Sequence, residues 1–290
     1  MERFAAVNGI RLHYIDHGGE GPLLMLMPGL TANAHAFDGL IQKGLGRKFR
    51  VVLIDLRGRG LSDKPLEGYT LEDHAADVPQ LIDELTSKPI ILGGHSFGGL
   101  LSIYMAVRNP EQISRLVVID AAASMHPRTR ELIQPAIDRL DHVYRSWAAY
   151  LDSVKSFPCF KDWWDPTIEG YFRADVQTAS DGAVTPRSSR TAIESAVDAV
   201  LSEPWMTHLP NIHQPLLLIN GTGGFGPPGA PPILPAKQAL ETVAAAPRGV
   251  YRRVAGNHMT MLYGEGAAET VAAIEGFVFS TPGQSHPGRE

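Results

Sequence analysis

The chain has one cysteine, Cys159, in 290 residues. A single cysteine excludes an intrachain disulfide and fits a reducing compartment. No cysteine-enzyme motif surrounds it, so it reads as a small apolar filler. No run approaches the ~18 apolar residues of a membrane span. Met1-Glu2-Arg3-Phe4 lacks the apolar core of a secretion signal. The expectation is a soluble, cytoplasmic protein. Positive charge is scarce too: 26 Lys and Arg against 31 Asp and Glu leave a net charge of −5. That balance argues against nucleic acid or an anionic membrane as partner. Metal-binding patterns are missing: there is no His-Glu-x-x-His, no paired Cys-x-x-Cys and no cluster of carboxylates with histidines. Gly223-Gly224-Phe225-Gly226 is glycine-rich but lacks the Lys-Ser/Thr of a phosphate loop. With its prolines it reads as a rigid surface loop. Neither metal nor cofactor is expected.

What is present is a series of short apolar runs. Leu23–Met27, Val51–Ile54, Pro89–Leu92, Leu116–Ile119, Leu216–Ile219 and Val250–Val254 each end in Gly, Asp, Asn or Pro within a few residues. Apolar strands without alternation imply a sheet covered on both faces, hence parallel strands joined by helical crossovers. Phe4 to Tyr14 alternates around Asn8-Gly9, a dipeptide suited to a tight hairpin. Thr70-Leu71-Glu72-Asp73 carries a capping pair, and Leu71, Ala75, Val78, Ile82 and Leu85 form one helical stripe. The helix after Ser96 stops at Asn109-Pro110. Ala236–Ala246 and Ala267–Phe277 read as further helices. The fold class is therefore α/β: a mostly parallel, doubly wound sheet.

Residues 121–211 interrupt this alternation. They hold all four tryptophans and no convincing buried strand. Helical spacing runs through Leu132, Ile137, Leu140, Val143 and Trp147, and again from Ile193 to Leu201. Two readings stand: a helical insert whose aromatics pack on one another, or a cap over the strand ends, where open α/β sheets bind ligands. The expected organisation is a core of 1–120 and 212–280, a helical cap of 121–211, and a flexible tail of 281–290. Trp147, Trp163 and Trp164 are the candidate substrate contacts within the cap.

The chemistry centres on Gly94-His95-Ser96-Phe97-Gly98, which follows an apolar run and opens a helix. Glycine two residues to either side of Ser96 suits a strained strand-to-helix turn that projects the hydroxyl. A serine needs a base to take its proton. Of the 11 histidines, His258 in Gly256-Asn257-His258 follows the last apolar strand and leaves the same sheet edge. His95 adjoins the serine, but its side chain points away. The other histidines lie in hairpin, helix, cap, linker or tail contexts suited to solvated or structural roles.

The chain resembles the α/β-hydrolase superfamily. The resemblance rests on Gly94–Gly99, on Asp55-Leu56-Arg57-Gly58-Arg59-Gly60-Leu61-Ser62-Asp63-Lys64-Pro65, on Pro28-Gly29-Leu30-Thr31, and on Gly256-Asn257-His258. It implies a helical cap and the chain order serine, acid, histidine. The family usually draws its acid from the loop after the penultimate strand. Here that loop is Gly221–Pro228, and no Asp or Glu lies between Pro204 and Leu240. Some members place the carboxylate after the strand that follows the nucleophile helix, which points to Asp120. The plain alternative for Asp120 is a strand-end carboxylate accepting backbone N–H bonds. The resemblance also implies an oxyanion hole from the backbone N–H groups of Leu30 and Phe97. Asp55 and Asp63 belong to a loop that is more often structural.

The activity implied is cofactor-free cleavage of a small, mostly apolar carboxylic ester or lactone by a Ser96–His258–Asp120 triad. Amidase, perhydrolase and carbon–carbon hydrolase chemistry share the same fold. Two further classes stand beside them: a cofactor-free dioxygenase using a His–Asp pair, and a non-catalytic receptor.

Overall fold

The computed structural model describes residues 1–124, 127–160 and 163–280. The tail expected to be flexible, 281–290, lies outside the described residues. The chain opens with the hairpin of β1 (Glu2–Val7) and β2 (Ile10–Asp16). Asn8 and Gly9 between them have φ of +46° and +77°, as a two-residue turn with two left-handed positions requires. There follow β3 (Leu23–Met27), the short helix α1 (Asp38–Gln42), β4 (Arg50–Ile54), α2 (Leu71–Leu85), β5 (Ile90–His95), α3 (Phe97–Arg108) and β6 (Ile113–Ile119). The interrupting segment folds as α4 (Thr129–Asp138), α5 (Trp147–Lys155), α6 (Pro166–Asp175), a small hairpin of β7 (Val176–Thr178) and β8 (Val184–Pro186), and α7 (Arg190–Ser202). The chain then returns through β9 (Leu216–Gly221), α8 (Ala236–Ala245), β10 (Gly249–Val254) and α9 (Gly264–Phe279).

Among the described residues, eight strands form one sheet in the order β1-β2-β4-β3-β5-β6-β9-β10. Both pairings of β2, with β1 and with β4, are antiparallel; from β4 onward every pairing is parallel. The apolar runs split by parity between two cores. Met25, Met27, Val52, Ile54, Leu92, Leu116, Val118 and Leu218 pack with α2, α3 and α8 on one face. Leu24, Leu26, Val51, Leu53, Ile91, Val117, Leu217 and Ile219 pack with α1 and α9 on the other. This is why the runs are continuous: successive side chains point to opposite faces and both are covered. Each such side chain contributes ~1.5–3 kcal/mol by leaving water.

Local signals are met in α2, where the Thr70 side chain accepts from the Asp73 N–H at 3.1 Å and Asp73 accepts from the Thr70 N–H at 2.9 Å. Two differences from expectation stand out. The 121–211 segment contains the β7–β8 hairpin, too short to register in the apolar pattern. The helical spacing through Val143 breaks after Asp138, because residues 139–146 turn to pair Tyr144 with Val184 and leave Val143 exposed.

Register positions the site. His95 pairs with Ile119, and Ile119 with Ile219, so the residues that follow each strand step, Ser96, Asp120 and Asn220, emerge abreast at the carboxyl edge. Met27 pairs with Gly94 on the other side of β5, which brings the Pro28–Thr31 turn alongside.

Candidate active site

Ser96 joins β5 to α3 with φ +53° and ψ −117°, a strained region for a side-chain-bearing residue. Glycine is required around it: a Cβ on Gly94 would lie 2.4 Å from the Gly98 carbonyl carbon, and one on Gly98 2.1 Å from the Met27 carbonyl oxygen. The tight turn leaves the Phe97 N–H at the start of α3 without a protein partner among the described residues, and the Leu30 N–H has none either. Both groups expected to form an anion hole are thus unengaged backbone donors.

Asp120 follows β6, is 2% exposed and has φ +48°. Its Oδ1 accepts from Asn220 Nδ2 at 2.8 Å and from the Gly221 N–H at 2.9 Å. Its Oδ2 lies 2.7 Å from His258 Nδ1. A carboxylate only accepts, so Nδ1 carries a proton, and in the neutral ring Nε2 then presents a lone pair. The main chain of His258 is held as well. His95 Nε2 donates to the His258 carbonyl at 2.7 Å, and the two rings lie 4.4 Å apart. Burial drives the His95 pKa well below that of a free imidazole, so the ring is neutral. Asn257 accepts from the Met259 and Thr260 N–H groups at 3.0 Å and donates to the Cys159 carbonyl at 2.8 Å. That last bond ties the histidine loop to the 121–211 segment.

Two adjoining hollows open beside these groups. One has Ser96, Phe97 and Asp120 in its wall. The other has His95 and His258. Leu30, Ile133 and Ile233 line both. Ser96 is part-exposed and His258 is 7% exposed; no hydrogen bond joins their side chains among the described residues. Such contacts commonly tighten only in the substrate complex.

The three tryptophans go elsewhere. Trp147 packs on Tyr150 and under Arg173, Trp163 against Tyr263, and Trp164 stacks on Phe172 at 6.2 Å. None lines either hollow. Their rings pack against the core on the α1 and α9 face of the sheet. The wall from this segment is mostly aliphatic, with Ile133 of α4 and Val197, Val200 and Leu201 of α7, joined by Thr129 in one hollow and Tyr171 in the other. Phe225, read as part of a surface loop, lies edge-on to His258 at 5.7 Å. Asn220, at a strand end in the sequence, is the residue that fixes Asp120. Asp55 is structural as expected: it accepts from the Ala34 and Leu61 N–H groups at 2.7 and 2.8 Å and faces His13 at 2.8 Å.

Among the described residues no group of His, Cys, Asp and Glu is arranged to hold a metal ion, and no helix is long and apolar enough to cross a membrane. Residues 22–158 match the family model of the alpha/beta hydrolase fold. N-formylmaleamate deformylase of Pseudomonas putida is 31% identical over 230 residues, covering 76% of this chain and 78% of that protein. 2-(Acetamidomethylene)succinate hydrolase of Mesorhizobium japonicum is 28% identical over 207 residues, covering 70% of this chain and 71% of the relative. The solved structure of E-2-(acetamidomethylene)succinate hydrolase superposes with a TM-score of 0.82 at 24% identity, over 96% of this chain and 98% of that one. With strand order and turn geometry in agreement with a 31%-identical relative matched over 78% of its length, the chain belongs to the α/β-hydrolase family and is a hydrolase.

Proposed function

We propose that the protein is a serine hydrolase that cleaves small, mostly apolar carboxylic esters through an acyl-enzyme. The observation that carries this reading is the buried 2.7 Å contact of Asp120 Oδ2 with His258 Nδ1, in a cleft shared with a serine on a strained turn. Ser96 Oγ attacks the ester carbonyl as His258 Nε2 takes its proton. The carbonyl oxygen gains the electron pair and is held by the Leu30 and Phe97 N–H groups. When the tetrahedral anion collapses, the carbon–oxygen bond to the alcohol breaks and His258 returns the proton to the leaving oxygen. Water repeats the sequence on the acyl-enzyme and frees the acid. Asp120 holds the His258 tautomer and stabilises the imidazolium.

The substrate class follows from the wall. Among the described residues no lysine or arginine lines either hollow, and Leu100, Ile133, Val197, Val200 and Leu234 dominate the Ser96 side. The two relatives bear succinate and maleamate in their names, both carboxylates. A wall without a cation supports an uncharged substrate for this chain instead. Residues 121–211 act as a cap over a core of 1–120 and 212–280, since α4 and α7 supply that wall. The lone cysteine, the half-buried Cys159, supports a reducing, cytoplasmic setting.

The deformylase relative supports a second reading of the same site, cleavage of an N-acyl bond by the same acyl-enzyme route. A series of p-nitrophenyl esters of rising acyl length, with lactones, an N-formyl amide and a carboxylate-bearing ester, separates the readings on wild type and Ser96→Ala. Uncharged esters are expected to dominate and to depend on Ser96. Full activity in Ser96→Ala, or a preference for the carboxylate-bearing ester, contradicts the proposal.

A further inference from the structure

Arg59 lies in the loop after β4 and is fully buried, 0% exposed. No carboxylate pairs with it among the described residues. Its Nε donates to the Leu30 carbonyl at 3.0 Å. Its Nη1 donates to the Arg57 carbonyl at 2.6 Å and to His74 Nε2 at 2.6 Å. His74 Nδ1 in turn donates to the Thr70 carbonyl at 2.7 Å, which leaves Nε2 with the lone pair that accepts from Arg59. The guanidinium carbon sits 5.2 Å from the centre of the Phe97 ring, and the His74 ring meets that ring edge-on at 5.1 Å. Nη2 is buried with no partner.

One guanidinium therefore grips both residues whose N–H groups form the proposed anion hole, through the Leu30 carbonyl and the Phe97 ring. A buried cation without a counter-charge is unfavourable. Burial lowers the Arg59 pKa to about 9, which still leaves the group charged at neutral pH. Leu30, Arg57 and His74 offer only neutral acceptors, and Arg57 spends its own charge on Asp77 at 2.6–2.7 Å. The guanidinium that contacts both donor residues lacks an anion in the resting enzyme, and the proposed reaction makes one at the hole those residues form.

We propose that Arg59 is a positioning residue of the oxyanion hole: it fixes the Leu30 and Phe97 donors and supplies the positive field that the tetrahedral anion completes. This rests on the serine-hydrolase reading. A field aimed where charge develops favours the transition state over the bound ester, so its loss falls on kcat rather than KM.

The test compares wild type, Arg59→Gln, Arg59→Lys and Ser96→Ala on the best p-nitrophenyl ester. Inhibition by an alkylboronic acid, which becomes a tetrahedral anion on the serine, and thermal melting are measured alongside. Arg59→Gln is expected to lower kcat about 10²-fold, with KM within about threefold and boronate affinity falling in parallel. Arg59→Lys, which restores charge without the fork, is expected to recover at least about tenfold of the lost kcat. Wild-type kcat in Arg59→Gln, or equal kcat losses in both variants with boronate affinity unchanged, overturns the proposal. Should Arg59→Gln fail to fold, the lysine variant decides: a lowered melting temperature with boronate affinity retained supports the charge role, and the reverse overturns it. A wild type as active as Ser96→Ala overturns the hydrolase reading and this proposal with it. Ser96-dependent activity that ignores Arg59→Gln overturns this proposal alone.

Discussion

Asp120 and His258, 138 residues apart in the chain, meet with Oδ2 2.7 Å from Nδ1. The other carboxylate oxygen is occupied by Asn220 and the Gly221 N–H. The loop after β9 carries no acid of its own, yet the last two residues of β9 supply the donors that fix the acid from β6. Each oxygen of Asp120 thus has a separate task, one toward the backbone frame and one toward the imidazole.

Replacing the carboxylate by an amide tests that division. Asp120→Asn keeps the size and can still accept from Gly221, so the fold is expected to persist by circular dichroism. The amide no longer enforces the His258 tautomer, and kcat is expected to fall by about 10⁴. Steady-state kinetics on the preferred ester checks this; a fall of less than tenfold contradicts the assignment.

His95 holds His258 by its main chain. His95→Phe fills the space but leaves the buried His258 carbonyl without its donor, a loss expected to destabilise by about 1–3 kcal/mol in urea unfolding. His95→Gln, which can still donate, is expected to recover part of the stability and of kcat.

The buried histidines also set a pH dependence of stability. Burial holds both His74 and His95 well below the ordinary imidazole value, with the Arg59 charge adding to the effect at His74. The unfolded chain binds protons at these groups near pH 6.5 while the folded chain does not. Their contribution is therefore present above pH 6.5 and lost as pH falls toward the folded values, at up to about 1.4 kcal/mol per pH unit for each histidine. Unfolding followed from pH 7.5 to 5 should show this slope, and His95→Gln should flatten it.

Ile133 sits where the two hollows meet. Ile133→Trp is expected to cut kcat/KM for medium-length acyl esters at least about tenfold relative to acetate. An unchanged chain-length profile would place the acyl group elsewhere.

The sequence made the sheet and its rim legible for a plain physical reason. Apolar runs end where parallel strands end, so Ser96 and Asp120 each announce themselves as the polar residue just past a strand, and His258 lies in the short loop that follows the last one. The stretch from Pro204 to Leu240, which holds no Asp or Glu, is as informative as any residue, because it points to Asp120 as the carboxylate. The cleft wall was not legible. Which side of an insert faces the sheet depends on how its helices pack, so Ile133 and Val197 looked like any core residue, while the more conspicuous Trp147, Trp163 and Trp164 pack on Tyr150, Tyr263 and Phe172 respectively. Arg59 was hidden for a related reason: a charged residue in a loop reads as solvated until the fold buries it.

The central claim, a covalent intermediate on Ser96, is tested most directly by mass spectrometry of enzyme quenched in acid during turnover of a p-nitrophenyl ester. The account predicts one acyl group per chain, mapped to the peptide that contains Ser96, absent in Ser96→Ala and slow to form in Asp120→Asn. An adduct on a different residue, or one that survives in Ser96→Ala, would contradict it.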